Sequence, residues 1–215
     1  MRIDLDLETS GLDWQSEKII LNGYRVDFSE IRYADPSTTS KSLYDLLADD
    51  RNELWGSNCK YDALFLSKAG YKINCQLIDT RVMAYICWPE LEEHGLKYLC
   101  TTKLGQRYAH TLDDILFRPN NDDRQHLEVL SAYYYTINGL WGRKDHIDYY
   151  HREDIYNIER ISNIMSVPQW FFDVEVPLTK ILFETELLGC QLDIQKLKDV
   201  QTPIEARIKV LEGVF

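Results

Sequence analysis

The sequence predicts an α/β or α+β fold in which a sheet is covered by helices. Three observations lead to this prediction. Short apolar or alternating runs typical of strands come early in the chain, whereas helical periodicity dominates later. Strands that precede helices in this way are typical of a sheet covered by helices. The 215 residues are 45% hydrophobic, which suits one domain, or one domain and part of a second.

The early elements follow from local patterns of apolar and turn-forming residues. Alternation predicts a strand over the first residues, and an apolar run predicts a second strand. A turn cluster then precedes leucines at helical spacing. The early predictions, in order, are a strand from Ile3 to about Glu8, a strand at Ile19–Val26 with a continuation at Ser29–Tyr33, a turn at 35–40, a short helix around Leu43–Leu47, and a strand at Leu54–Gly56.

The later elements are mainly helical. Asp79 is expected to cap one of these helices, Gly105 to end another and Pro168 to stop the last long one. The later predictions, in order, are a helix at about 61–69, a strand at 76–78, helices at about 80–88 and 95–104, a loop at 118–123, a tyrosine-rich helix at about 124–141, a loop at 142–148 and a helix at about 149–166.

Charge and cysteine usage limit the function classes. The net charge of −11 is the wrong sign for gripping a long duplex, but it does not exclude an enzyme that holds a strand end through metal ions. The five cysteines show no metal-binding spacing and fit a reducing cytoplasm. No segment approaches the roughly 20 apolar residues of a membrane span, and no signal peptide is expected. We therefore expect a cytoplasmic protein without membrane contacts.

Three carboxylates in the first strand are the earliest chemical signal. Side chains alternate along a strand, so Asp4, Asp6 and Glu8 share one face. Like charges at neighbouring positions of one face repel each other. Hard divalent cations such as Mg²⁺ and Mn²⁺, which prefer carboxylate oxygens, would relieve that repulsion. A solvated strand face is the alternative interpretation of this pattern taken alone.

Two further segments extend the signal. Asp6–Leu12 reads D-x-E-T-x-x-L, Asn58–Leu66 begins N-x-K-Y-D, and Tyr150–Asp154 reads Y-x-x-x-D. Residues four apart share one helix face, so the Tyr150 hydroxyl and the Asp154 carboxylate can point into one cavity. Together the three segments resemble, in order, the three motifs of the DEDD exonucleases. Tyr149 occupies the position where the histidine variant needs His, so the resemblance is to the tyrosine type, DEDDy.

Connecting segments make the resemblance more specific. Asp79–Tyr85 and His94–Leu99 are similar to the D-T-x-x-x-x-Y and H-G-L-x-x-L stretches of family A DNA polymerases. Glu175–Leu178, Glu186–Gly189 and Leu192–Asp193 resemble the passage from exonuclease to thumb in those enzymes. The chain thus resembles, over nearly its whole length, the 3′–5′ proofreading exonuclease domain of a family A polymerase.

The resemblance implies an α/β fold of the ribonuclease H-like kind, in which a mixed sheet is flanked by helices and followed by a helical C-terminal extension. It also implies two domains. Residues 1–167 would form the exonuclease domain, and residues 168–215 a helical connection resembling the start of a polymerase thumb. We expect no 5′-nuclease domain before the first motif and no polymerase fingers or palm after Phe215. Such a start is similar to that of certain phage polymerases, and this resemblance implies the cytoplasm of a bacterial or phage-infected cell.

The resemblance also implies a catalytic set and its cofactors. Two divalent ions, Mg²⁺ or Mn²⁺, would activate a water and stabilise the leaving 3′ oxygen. Asp6, Glu8 and Asp154 would hold the water-activating ion, and Asp6 would bridge to a second ion held by Asp62. Tyr150 would orient the attacking water. The expected catalytic residues are Asp6, Glu8, Asp62, Tyr150 and Asp154, of which the four carboxylates bind metal.

Four further residues resemble positions that hold the substrate. Thr9 and Leu12 match positions that contact the terminal nucleotide, with Leu12 wedging between the last bases. Asn58 and Tyr61 match residues that hold the strand nearby. These four assignments rest on the resemblance alone.

Some features depart from the family or carry a plainer interpretation. Asp4 is acidic where the family is usually small or apolar, and we interpret it as a supporting or solvent-facing carboxylate. Asp79 is interpreted as a helix cap, and the histidines show no ligand pattern. The tyrosine-rich interval between Tyr133 and Tyr149 could stack on single-stranded bases, although tyrosines packed on the core are the favoured interpretation.

Three functions remain open at this level. The favoured one is a 3′–5′ exonuclease on single-stranded or frayed DNA 3′ ends, as a polymerase fragment or as a separate subunit beside a polymerase chain. An RNA-trimming enzyme of the RNase D kind shares the four carboxylates and the tyrosine. A catalytically idle replication scaffold is the third possibility. Comparing DNA and RNA 3′ ends separates the first two, and failure to bind Mn²⁺ would favour the third.

Overall fold

The fold is built on a five-stranded mixed sheet. The computed structural model describes residues 1–106, 116–117, 133–135 and 141–213, with side chains from residue 147 onward in the last range. The sheet order is β3-β2-β1-β4-β5. The pairs β1–β2 and β2–β3 are antiparallel, whereas β1–β4 and β4–β5 are parallel. The strands are β1 Arg2–Thr9, β2 Ile19–Val26, β3 Arg32–Ala34, β4 Glu53–Gly56 and β5 Gln76–Asp79.

Helices follow and cover this sheet. The described helices are α1 Lys41–Leu47, α2 Cys59–Lys68, α3 Thr80–Cys87, α4 Leu96–Leu104, α5 Lys144–Asn163, α6 Val176–Leu188 and α7 Ile194–Glu212, with a π-helical turn at Phe171–Glu175 before α6. A second, small antiparallel sheet has the order β6-β8-β7, formed by β6 Leu116–Phe117, β7 Tyr133–Tyr135 and β8 Trp141–Arg143.

The central strand β1 separates two chemically different layers. Its apolar side chains Ile3, Leu5 and Leu7 are buried in a core with α1 and α2. Its acidic side chains lie on the opposite face, where α5 packs against β1 and β2. A second apolar cluster joins α3, α4 and α5, and its buried members are Ala84, Leu96, Leu99, Cys100, Ile158 and Ile161. This cluster fixes the helix that carries the third motif against the sheet.

The α/β fold class and most early elements are confirmed. The second strand has the predicted bounds, and Asp79 caps α3 by accepting from the backbone N–H of Arg81. Gly105 ends α4 as expected, whereas Gly95, predicted as the first residue of this helix, is its N-cap. The predicted helix at 124–141 is wrong at Tyr133–Tyr135, which is a strand. Aromatic residues favour strands when a partner strand is available, and β8 supplies one.

The region before α5 also differs from the prediction. Trp141–Arg143 is a strand and α5 begins at Lys144, so most of the predicted loop at 142–148 is helical. The predicted loop at 118–123 and the predicted helix at 124–132 lie outside the described residues. So do the side chains of the tyrosines at 133–135, which the base-stacking hypothesis invoked.

The chain divides into two compact units, residues 1–184 and residues 185–215. The second unit contains the end of α6 and all of α7, which Asp193 caps by accepting from the backbone N–H of Lys196. No residue of α7 is buried. The predicted boundary at 167–168, between an exonuclease domain and a helical connection, stays a prediction.

None of the helices among the described residues is both long enough and apolar enough to cross a membrane.

Candidate active site

Three carboxylates from two distant parts of the chain meet on the α5 side of the sheet. Asp6 and Glu8 come from β1, and Asp154 comes from α5. Each offers one oxygen, and these oxygens all lie within 4.8 Å of one another. Carboxylates packed this closely can hold a divalent cation of the Mg²⁺ or Mn²⁺ type, which takes oxygen ligands. The alternation of β1 and the packing of α5 on it create this group.

Asp62 lies beside this group at the start of α2. It is buried, and its charge raises the pKa of Asp6. Asn58, four residues before Asp62 and the first residue of the same motif, is the N-cap of α2 and has a left-handed backbone, φ 69°. Asp79 holds that backbone by accepting from the N–H of Asn58 at 2.9 Å. The helix cap identified from sequence therefore also supports the turn that presents Asp62.

The electrostatics of the cluster are unfavourable without a cation. Burial and the charges of Asp154, Asp62 and Glu8 hold the pKa of Asp6 well above its usual range. Burial and the charge of Asp154 raise the pKa of Glu8 to about 8. Burial and the charge of Asp79 likewise raise the pKa of Asp62. A bound cation would stabilise the charged form of carboxylates whose pKa values are raised in this way. Such a group of carboxylates is therefore typical of a site for a positively charged ligand.

Tyr150 lies one turn before Asp154 on the same face of α5 and is only 4% exposed. The ammonium of Lys97, on α4, lies 3.9 Å from the centre of the Tyr150 ring and 3.9 Å from Asp154 Oδ2. Lys97 and Asp154 line a cleft of about 260 Å³ that also reaches Asp6. The structure therefore brings together the five residues that the motifs single out, and it places the ammonium of Lys97 beside them.

The expected substrate-binding residues have different environments. The Thr9 hydroxyl lies 2.7 Å from the Tyr61 hydroxyl, and both lie within hydrogen-bond distance of the Gly11 carbonyl, at 2.9 and 3.0 Å. These contacts fix the turn after β1. Leu12, at the tip of that turn, is 87% exposed, and the Asn58 side chain is exposed. All four residues lie in the first two motifs, close in sequence to Asp6, Glu8 and Asp62.

Asp4 is a buried structural carboxylate. It accepts from Arg2 Nε at 2.7 Å and from Arg25 Nε at 2.9 Å. Arg25 also donates to Glu159 Oε2 on α5 at 2.7 Å, and Arg2 donates to Ser162 Oγ at 2.9 Å. This group of charges ties α5 to β1 and β2 just beyond Asp154. We call it the Asp4 ion cluster.

Sequence reasoning missed two functional features. His151 is fully buried, and its Nε2 lies 2.7 Å from the backbone carbonyl oxygen of Asp6. Gly23 pairs with Asp6 across the sheet, and a Cβ at Gly23 would lie 2.4 Å from His151 Cε1. A glycine inside a strand, where it weakens the element, was the signal that another group approaches closely. No sequence pattern marked Lys97 as part of the site, apart from its position directly after the H-G-L segment.

Comparison with known proteins gives a fold relationship. No model of a known protein family and no curated protein sequence matches the chain. Among solved structures it is similar to NrnC of Brucella melitensis, with a TM-score of 0.58 and 16% identity over 85% of this chain and 80% of NrnC. NrnC has been solved with bound Mg²⁺ and bound to pGG.

The chain is also similar to the POL domain of Pol1 from M. smegmatis in complex with a DNA primer-template and dNTP. That match has a TM-score of 0.54 and 16% identity, and it covers 97% of this chain but 32% of the other. Another similar structure is the apo form of a nuclease, with a TM-score of 0.55 and 14% identity over 85% of this chain and 79% of that one. The ribonuclease H-like fold is thus shared with these proteins.

Proposed function

We propose that this protein is a metal-dependent 3′–5′ exonuclease of the DEDDy type that removes nucleotides from single-stranded or frayed DNA 3′ ends. One observation carries the proposal: Asp6 and Glu8 on β1 and Asp154 on α5 offer oxygens within 4.8 Å of one another, and Asp154 shares its helix face with Tyr150. The order of the three motifs supports it, and so does the fold shared with NrnC and with the POL domain of Pol1.

The residues fit two divalent cations. Asp6, Glu8 and Asp154 would hold one, and Asp6 and Asp62 the other. When bound, these ions would lower the pKa of a water and stabilise the leaving 3′ oxygen. The raised pKa values of the carboxylates support this assignment, since a bound cation relieves the repulsion that raises them.

The protein's own side chains would position the water and the strand end. The hydroxyl of Tyr150, on the α5 face that bears Asp154, would hold the attacking water by a hydrogen bond. The turn fixed by Thr9 and Tyr61 presents Leu12 to solvent, where it could wedge against the terminal bases. Asn58, exposed at the start of α2, would hold the backbone of the same strand.

A polymerase module, in the same chain or as a separate subunit, is part of this proposal. The second compact unit, residues 185–215, has no buried residue in α7 and exposes apolar side chains along that helix. These are Leu197, Val200, Ile204 and Ile208. A helix with an exposed apolar stripe is typical of a segment that packs on another module. A polymerase module would supply the packing surface that such a stripe needs.

A second candidate is an exoribonuclease of the RNase D kind. The observation that favours it is the similarity to NrnC, which covers 80% of that chain and which has been solved bound to pGG. The two candidates share the same carboxylates and tyrosine, so substrate preference separates them.

The first experiment is digestion of a 5′-labelled single-stranded DNA oligonucleotide with Mg²⁺ or Mn²⁺, beside an RNA of the same sequence. The control proteins are the double variant Asp6→Ala/Glu8→Ala and the surface variant Glu30→Gln. A ladder that shortens from the 3′ end of DNA, absent in the double variant and with EDTA, supports the proposal. A ladder on RNA alone supports the second candidate.

Binding of Mn²⁺ by the wild-type protein is measured in parallel. Failure to digest either substrate, combined with failure to bind Mn²⁺, would contradict a metal-dependent nuclease and favour a scaffold. Digestion by the double variant at the wild-type rate would contradict the assignment of the carboxylates.

A further inference from the structure

Lys97 brings a positive charge into a cleft that is otherwise acidic. Its side chain lines the cleft together with Asp6 and Asp154, and Glu93 adds a further carboxylate there. Among the described residues that line this cleft, Lys97 is the only cation. Lys97 lies in the first turn of α4, directly after the N-cap residue Gly95. The buried side chains of Leu96 and Leu99 fix this turn in the core.

The ammonium of Lys97 lies at the edge of the carboxylate group, 3.9 Å from Asp154 Oδ2. The side chain remains 44% exposed. The charge of Lys97 lowers the pKa values of Asp6 and Glu8, so its field reaches the candidate metal site. A phosphate entering the cleft can therefore reach the ammonium from solvent.

A charge count shows why this cation matters for the proposed reaction. Four carboxylates and two divalent ions carry no net charge together. A phosphodiester brings one negative charge, and the reacting phosphate gains a second because the attacking water loses a proton to solvent as it adds to the phosphorus atom. A fixed cation in a partly desolvated cleft stabilises such a developing charge more than the charge of the ground state.

We infer that Lys97 is a catalytic residue whose ammonium contacts a non-bridging oxygen of the scissile phosphate. This inference rests on the proposed exonuclease function. The contact strengthens as charge develops on the phosphate, so Lys97 acts mainly on turnover. The Tyr150 ring, whose centre lies 3.9 Å from the ammonium, holds it in the cleft by a cation–π contact.

The test compares Lys97→Met, Lys97→Arg and Lys103→Met in the full chain. Lys103 is a matched control, because it lies on the same helix but contacts Glu90 and the Trp88 ring. We expect Lys97→Met to lower kcat on single-stranded DNA by about 30-fold or more, as for loss of one transition-state charge contact. Lys97→Arg should recover most of that loss, and Lys103→Met should behave as wild type.

Binding of Mn²⁺ without substrate separates this role from a merely structural one. Removing a cation beside the carboxylates makes their field more negative, so Lys97→Met should bind Mn²⁺ as tightly as wild type or more tightly. Slower turnover with undiminished Mn²⁺ affinity supports the inference. Turnover within about 3-fold of wild type, or equal losses of turnover and Mn²⁺ affinity, overturns it. An inactive wild-type protein would instead contradict the proposed function.

Discussion

The imidazole Nε2 of His151 lies 2.7 Å from the backbone carbonyl oxygen of Asp6, joining residues 145 positions apart. Burial lowers the pKa of His151 to about 4, so the ring is neutral at pH 7 and its Nε2–H donates to that carbonyl. His151 adjoins Tyr150 and precedes Asp154 by three residues. The hydrogen bond therefore links the strand bearing two metal-binding candidates to the helix bearing the third.

We expect Gly23→Ala to disturb this link, because the new Cβ would lie 2.4 Å from His151 Cε1 and must displace the ring. The variant should lose about 10-fold or more in kcat/KM and unfold at lower temperature. The matched control is Gly213→Ala, whose new Cβ would meet its nearest atom at an ordinary 3.4 Å. Nuclease assays and thermal unfolding measure both effects.

His151→Ala removes the imidazole with which the new Cβ at position 23 would clash. Gly23→Ala and His151→Ala are therefore suitable for a double-mutant cycle. The losses from Gly23→Ala and His151→Ala should be less than additive in the double variant, because both act on one contact. Strictly additive losses would contradict the claim that Gly23 exists to admit the imidazole.

The Asp4 ion cluster should contribute to stability through Arg25, which is almost fully buried and contacts both Asp4 and Glu159. Replacing Arg25 with Met leaves a buried carboxylate short of a partner. We expect the free energy of unfolding to fall by about 3 kcal/mol at pH 7.5. Lys41→Ala, which breaks an exposed pair with Asp45, should change it by less than about 0.5 kcal/mol.

The loss in Arg25→Met should depend on pH in a defined direction. Burial already raises the pKa of Asp4, and removal of Arg25 raises it further. A raised pKa in the folded state means that stability falls as pH rises through that range. Urea denaturation at pH 5 and pH 7.5 should therefore show a smaller deficit at pH 5, and an equal deficit at both would refute the mechanism.

Glu8 should destabilise the metal-free protein. Its pKa of about 8 exceeds the usual 4.5, so the folded state binds the extra proton between these values and loses stability as pH rises toward 8. Glu8→Gln should raise the metal-free Tm at pH 8 by about 3 °C or more while abolishing nuclease activity. The exposed control Glu30→Gln should change neither. A lower Tm in Glu8→Gln would contradict the repulsion argument.

Metal affinity should rise with pH for the same reason. Protons on the Asp6, Glu8 and Asp62 carboxylates, whose pKa values are raised, compete with the cation below about pH 8. Calorimetric titration with Mn²⁺ should show tighter binding at pH 8 than at pH 6, with protons released on binding. An affinity that does not change over this interval would place the cation elsewhere.

Leu12 offers a test of the substrate-binding assignments, because its exposure of 87% leaves it little role in the core. Leu12→Ala should leave Tm unchanged but lower kcat/KM on duplex ends by about 10-fold, with a smaller effect on single strands that need no fraying. Leu188→Ala, also exposed at 89%, is the control. Equal losses on both substrates would argue against a wedge.

The candidate site was predictable where its chemistry is local in the chain. The alternation of β1 puts Asp6 and Glu8 on one face, and the four-residue spacing of Tyr150 and Asp154 puts them on one face of a helix. The tyrosine-rich segment was not predictable in this way. Tyr133–Tyr135 pairs with a strand eight residues away, and such pairing overrides a weak helical pattern.

By itself, the sequence determined the α/β class, the residue types of the three motifs and the faces they occupy, since these depend on backbone periodicity. Only the tertiary structure decided three contacts. The imidazole of His151 lies against Gly23, and Arg25 binds both Asp4 and Glu159. The ammonium of Lys97 lies over the ring of Tyr150. Each of these contacts joins elements far apart in the chain. They arise from packing α4 and α5 on the sheet, where steric fit and buried charge act between residues that no local pattern connects.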